Sequence, residues 1–412
     1  MIRYTSVATF LLFAIALIVP SGFSLGAVML MLGGLTIYLF PHYRSNGFQL
    51  HNHDRLLIGI FCLYFTVNSL LNFIHIAPAR EYDTFSRFLL AIPALFLLLH
   101  YPPKPVFVWS GIVFGALSSG IYAIVQVMLF DHDRAMGSTN PIQYGNICML
   151  LAVLCLCGLI WAWQQQRRCL WLSICTTVAI LGIIGSLLTG SRGSWLGLPV
   201  SAIILLIYLA KHISAKTLLG LVVAIVLAPG LVALAPDNPV KQRIHIAGEE
   251  LDQYMHHRNT STSIGTRLEM WRSATLLIPE RPLLGWGKQG YQQKTLALAN
   301  EGSVGATLTQ HSHLHNDYID ATVKHGIVGL ATVLALYIGL LILFCGLLRT
   351  TQTINAFAIA GILLMVNYIF FGLTQAFLTH NNGVMLLAFS SIVLWSCARR
   401  GTTSEDVHTN TA

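Results

Sequence analysis

Three histidines stand two residues apart in the segment 308–320, LTQHSHLHNDYID: His311, His313 and His315. If that segment is extended, residues two apart face one way and the three rings converge like metal ligands. If it is helical, the pairs four apart meet instead, His311 with His315 and His313 with Asp317. The His313–Asp317 pair would then be a base held in one tautomer by a carboxylate. The plain alternative is a polar collar at a helix end. Two arginine clusters accompany the histidines. In 189–195, TGSRGSW, Arg192 interrupts an apolar stretch. An arginine at mid-membrane depth costs about 2.5–3.5 kcal/mol on insertion scales unless it lines a wet cavity or meets an anion, and much less if it snorkels to an interface. Trp195 beside it reads as an interface anchor. In 267–272, RLEMWR, Arg267 and Trp271 lie one turn apart on a common helical face, while Arg272 points elsewhere. Guanidinium groups grip phosphate bidentately and stay charged, which suits a pyrophosphate; Arg272 and Arg281 also fit a solvated face.

The elements that must position these residues are helices in a membrane. Of 412 residues, 55% are hydrophobic and only 10% charged, against a charged fraction of about 25% in soluble domains. Apolar runs at 5–20, 22–41, 55–76, 85–100, 105–130, 141–163, 169–189, 194–210, 216–235, 319–348, 353–376 and 380–397 predict an all-α polytopic membrane protein of about twelve spans, since each span needs roughly 20 apolar residues. The run at 85–100 is the weakest: Arg87 intrudes and 88–99 is short. Arg3, Arg44, Arg55, Lys104, Arg167, Arg168, Lys211, Lys216, Arg349, Arg399 and Arg400 fall on one side of that layout, so both termini are expected in the cytoplasm. Arg80, Arg87, Arg134 and Arg192 fall opposite and are candidates for binding an anion. The first run lacks a cleavage site and reads as a retained helix.

The chain thus divides into spans 1–9 (1–235), one large outer loop (236–318), spans 10–12 (319–400) and a polar, disordered tail (401–412). Within the loop, 238–257 predicts an interfacial amphipathic helix, 258–265 a hinge, and 267–277 a helix capped by Ser263 or Thr266. Prolines and glycines at 279–290 then break regular structure. The eight cysteines lie in or beside predicted helices and read as small apolar packing residues. No repeat and no nucleic-acid-binding motif is present.

The blocks RAMGSTNPIQYGN (134–146), TGSRGSW (189–195), TRLEMWRSA (266–274) with PLLGWG (282–287), and HLHNDYIDATVKHGIVG (313–329) together resemble the O-antigen ligase family of bacterial envelope glycosyltransferases. The resemblance covers roughly 134–329. It implies a multi-pass inner-membrane enzyme with its active site on the periplasmic face. The implied reaction moves O-polysaccharide from undecaprenyl pyrophosphate to lipid A-core, inverting, with no cofactor and no metal. Carried onto this sequence, the family's arginines match Arg192 and Arg267, for which the resemblance implies pyrophosphate binding; Trp271, Arg272 and Asn316 are expected to join them as substrate contacts. Its histidine motif matches His313, His315 and Asn316, one histidine being the general base; His311 precedes the motif. The nearest alternatives are an O-antigen polymerase or a protein O-oligosaccharyltransferase, which differ in acceptor. A lipid-linked glycan transporter is a third, disfavoured because the polar chemistry gathers at one face rather than in broken midplane helices.

Overall fold

The computed structural model describes residues 1–40, 49–210, 239–350 and 355–409, and no strand occurs among them. Its helices are α1 (Ile2–Ala14), α2 (Gly22–Leu39), α3 (Asn52–Ile74), α4 (Asp83–His100), α5 (Pro105–Met128), α6 (Pro141–Trp163), α7 (Arg168–Leu188), α8 (Gly197–Leu209), α9 (Pro239–His257), α10 (Ser263–Leu277), α11 (Gly287–Asn300), α12 (Asp317–Thr350), α13 (Ala356–Thr374) and α14 (Asn381–Thr409). Among the described residues nine helices are long and apolar enough to cross a membrane, and α1 and α2 are shorter apolar helices. The molecule is a polytopic membrane protein. The expected span at 216–235 lies outside the described residues.

Three helices form the centre. α6, α13 and the apolar part of α14 are almost wholly buried, which explains why they are apolar on every face rather than amphipathic. α7, α5 and α1 pack outward from α6, while α3 and α4 flank α12 and α14. The fourth run is stronger than its sequence suggests. α4 extends back to Asp83, where one guanidinium nitrogen of Arg87 donates to both carboxylate oxygens of Asp83 at 2.6 and 2.7 Å. The intruding charge thus has its counter-charge one turn away. The last helix continues through Thr409, into the segment expected to form a disordered tail.

The described residues 239–316 carry three α-helices, not two. α9 and α10 match expectation, but α11 begins at Gly287, within the Pro- and Gly-rich stretch expected to break regular structure; its run QQKTLALA is rich in good helix formers. The cap of α10 is also different. Thr262, not Ser263 or Thr266, accepts the Gly265 N–H at 3.0 Å, so the helix begins earlier and Arg267 falls in its second turn.

α12 breaks at Gly326, where φ is 65° and ψ −162°. A side chain there would be strained, and a Cβ would sit 2.1 Å from the Leu283 carbonyl oxygen. The break frees backbone groups that take up the turn before α11: the Ile327 N–H donates to Pro282 at 2.8 Å, and the Trp286 N–H donates to Val323 at 3.0 Å. PLLGWG and KHG are therefore two halves of one joint, and it fixes the loop helices against the start of α12.

Candidate active site

The arginine side is assembled first by side chains around the N-terminus of α6. Asn140 caps that helix, with Pro141 at its first position. Asn146 accepts from the Ser194 hydroxyl at 2.7 Å, Ser186 donates to the Gly145 carbonyl at 2.9 Å, and Arg134 donates through Nε to the Thr189 carbonyl at 2.7 Å. These bonds join the block at 134–146 to the block at 189–195. Arg192 opens a short 3-10 turn, Arg192–Trp195, and pairs with Glu250 of α9 at 3.2 Å.

Arg267 on α10 completes the group. Its half-buried guanidinium makes no hydrogen bond or ion pair with any described residue. Burial first, then the charges of Arg192 and Arg134, lower its pKa, against the opposing pull of Glu250. Of the charges named as acting on Arg267, two are guanidiniums and one is a carboxylate, and the positive charge at Arg267 is suited to an anion.

The histidine segment is neither a regular strand nor a helix. Leu314 is fully buried in a small core with Met270, Leu277, Tyr291 and Val323. With Leu314 pointing inward, His313 and His315 on either side turn away from that core. The backbone is gripped from every direction. Leu314 donates to Asp320 at 3.0 Å and accepts from the Trp271 indole at 3.2 Å, and Lys324 donates to the Ser312 carbonyl at 2.9 Å. Asn316 caps α12 by accepting from Tyr318 and Ile319, and its amide donates to the Leu373 carbonyl at 3.0 Å. So held, His315 adopts a left-handed φ of 48°, a conformation that costs a non-glycine residue about 1–3 kcal/mol and persists where surrounding contacts over-determine it.

The expected His313–Asp317 pair does not form. Asp317 is buried and occupied, accepting from Tyr337 at 2.8 Å and from the Leu378 N–H at 3.0 Å. The partner sequence reasoning missed is Gln375, just beyond α13. Its side-chain oxygen bonds His315 Nδ1, and its nitrogen bonds His380 Nε2 at 2.7 Å. His380 also meets His313, ring centroids 5.1 Å apart, and His313 meets His315 at 4.5 Å. No group of three or more ligating side chains among the described residues is arranged to hold a metal ion.

All four rings hold protons weakly. Burial is the first cause for each. His315 is pushed down to about 4, with Arg267 the strongest charge acting on it. His313 falls to about 2, with His315, His380 and Lys324 adding to burial, and its Nε2 is buried without a partner. His380 falls to about 4 under burial and Lys324, and His311 is lowered by burial.

Beyond His313 and His380 opens a cavity of about 540 Å³. Asn68, Asn72, Gln289, Gln292, Asp320 and Lys324 are among its lining residues. The structure therefore brings Arg192, Arg267, His313 and His315 to one end of the bundle, and gives the other three expected ligand contacts partners within the protein. Arg272 staples Glu269 at 3.2 Å and the Ser303 carbonyl at 2.7 Å. Asn316 has its side chain consumed by capping. Trp271 braces the Leu314 carbonyl. Arg134, Glu250, Gln375 and His380 are the residues the sequence did not single out for roles; only Arg134, as an outer-face arginine, carried a signal.

The model of the family described as O-antigen ligase matches residues 177–334, a stretch that contains Arg192, Arg267 and both motif histidines but neither Arg134 nor Gln375. The chain is 30% identical over 376 residues to an uncharacterized protein of Haemophilus influenzae, covering 90% of this chain and 93% of that one. It is 23% identical over 224 residues to a protein of Escherichia coli named O-antigen ligase, covering 53% of this chain and 51% of that one.

Proposed function

The chain belongs to the O-antigen ligase family, and from that premise we propose that it transfers O-polysaccharide from undecaprenyl pyrophosphate to lipid A-core at the periplasmic face of the inner membrane, with both termini cytoplasmic. The observation that carries this reading is Arg267, a half-buried cation without a described partner, next to Arg192 and acting on the ring of His315. Such a group has its positive charge waiting for a ligand.

In this reading the pyrophosphate lies against Arg192 and Arg267, with Arg134 adding charge behind them. The acceptor sugar approaches from the cavity beyond His313, and membrane lipid surrounds the polyprenyl tail. The acceptor oxygen attacks the anomeric carbon from the face opposite the leaving group, giving inversion. As the bond to the pyrophosphate oxygen breaks, negative charge grows on the leaving group, and preorganised guanidiniums stabilise that charge. His315 takes the acceptor hydroxyl's proton, a contribution of roughly 10²–10⁴-fold.

Charge explains how a ring with so low a proton affinity serves as a base. Burial first, and then Arg267, press His315 down; a bound pyrophosphate neutralises that arginine and removes its share of the depression when the acceptor arrives. His313 is more deeply depressed and lacks a bonded partner, so His315 is the better base. Trp271, Asn316 and Arg272 hold the frame and do not touch the donor.

The test is reconstitution of the purified protein with undecaprenyl-pyrophosphate-linked glycan, offering lipid A-core and growing glycan as competing acceptors. Label entering lipid A-core supports ligation. Elongation of the lipid-linked glycan without such label makes the protein a polymerase, and loss of activity on exhaustive chelation, restored by one metal, overturns the metal-independent chemistry.

A further inference from the structure

We propose that Gln375 is a positioning residue, holding His315 in the Nδ1–H tautomer so that Nε2 carries the lone pair that receives the acceptor's proton. The inference rests on the reading of His315 as the base. Gln375 is buried, 1% exposed, and both ends of its amide are used: the oxygen at His315 Nδ1 and the nitrogen at His380 Nε2. An amide oxygen only accepts and an amide nitrogen only donates. His315 must therefore carry its proton on Nδ1, and His380 must carry its own on Nδ1 to leave Nε2 as acceptor. The reversed amide would put the His315 proton on Nε2 and leave no base on that atom.

An amide suits this place better than the carboxylate that orients many catalytic histidines. A carboxylate beside Arg267 would be a built-in anion competing with the pyrophosphate for the same guanidinium. The candidate carboxylate of the segment, Asp317, is instead withdrawn into bonds with Tyr337 and Leu378. Gln375 gives direction without charge. It comes from the end of α13, a helix packed against α12, so the orientation is set by core helices rather than by the loop.

The proton count closes. The acceptor O–H bond breaks toward His315 Nε2 as the oxygen bonds the anomeric carbon. The carbon's bond to the pyrophosphate oxygen breaks with its electron pair leaving on undecaprenyl pyrophosphate, and the imidazolium later returns its proton to solvent. The charged or titratable groups facing His315 are Arg267 from α10, His311 and His313 from its own segment, and His380 beyond Gln375.

The test uses the full chain in lipid nanodiscs, assayed with undecaprenyl-pyrophosphate-linked glycan and lipid A-core. Gln375→Leu is expected to lose about tenfold or more in kcat with donor KM unchanged, since a wrongly held imidazole is a large catalytic defect. Gln375→Glu is expected to recover part of kcat and to move the acid limb of the pH profile upward by about one unit or more, because a carboxylate at Nδ1 favours the imidazolium. A merely structural glutamine would leave that limb in place. In the unsubstituted protein, ¹⁵N spectra of labelled histidine should show His315 protonated at Nδ1. Full kcat in Gln375→Leu, an unmoved limb in Gln375→Glu, or a proton on His315 Nε2 each overturns the inference. His315→Ala separates the two levels: an inactive His315→Ala beside a fully active Gln375→Leu removes only the positioning role, whereas a fully active His315→Ala removes the base itself.

Discussion

On one side of His315 stands Arg267, with Arg192, Arg134 and the Glu250 carboxylate acting on it; on the other, a cavity is lined by Asn68, Asn72, Gln289 and Gln292, with Asp320 and Lys324 paired to each other at 2.7 Å. The first region holds Arg267 with no described counter-ion; the second pairs its cations with carboxylates, Lys324 with Asp320 and both Lys288 and Arg80 with Glu81, and keeps the amides of Gln289 and Gln292 available, the nitrogens of Asn68 and Asn72 already donating within the protein. An excess of guanidinium fits a leaving pyrophosphate, while neutral donors and acceptors fit sugar hydroxyls, which need bonds of both senses. The difference teaches that donor and acceptor need not be distinguished by size or by a gate. In the proposed reading they are sorted by charge, with one imidazole at the boundary.

The sharpest way to break this division is to remove the cations. Alanine at Arg267 or Arg192 should cost at least about 100-fold in kcat/KM for the donor, as loss of charge-stabilising donors does elsewhere, with protein level and insertion normal on immunoblots of membrane fractions. Arg267→Lys should stay severely impaired because it keeps the charge and loses the fork. Arg272→Ala, by contrast, should leave donor kinetics unchanged and lower thermal stability.

Next in size is the boundary itself. His315→Ala should lose roughly 10²–10⁴-fold in kcat, and His313→Ala distinctly less. The pH profile carries the sign. His315 acts as a base only when neutral, so activity falls as pH drops through its pKa; the acid limb of kcat/KM should track the free protein's value, about 4, and that of kcat should lie higher because bound pyrophosphate offsets Arg267. Coincident limbs would remove the proposed coupling between the two regions.

On the cavity side, Gln292→Trp should raise acceptor KM several-fold, on the order of the 1–3 kcal/mol that a mismatched pocket contact costs, and leave donor KM alone. A change in donor KM instead would place the cavity on the wrong substrate. The smallest effect belongs to Glu250. Its bond to Arg192 is partly exposed, and such pairs are worth about 0–1 kcal/mol, so Glu250→Gln should tighten donor binding by no more than a few-fold in a direct binding titration.

The helices were legible because a bilayer forbids unpaired backbone, and apolar runs of span length leave little choice. Arg192 and Arg267 were legible as costly charges beside aromatic residues. The course of residues 311–316 was not, because period-2 and period-4 readings both presuppose a regular element and this segment has none. The break at Gly326 was hidden within an otherwise helical pattern. Glu250 looked like one more charge on an amphipathic helix, and Gln375 and His380 sit among apolar residues with no spacing that marks them.

Composition and residue order by themselves determined a polytopic all-helical protein, the loop that gathers its polar chemistry, and the arginines and histidines at stake. Only the tertiary structure decided which partners those residues have. It gave Asp317 to Tyr337, Arg272 to Ser303 and His315 to Gln375, a residue 60 positions away. Membrane insertion is governed by local hydrophobicity, which a linear sequence records directly. A hydrogen bond depends on where two helices place their ends, and that is set by the packing of the whole bundle.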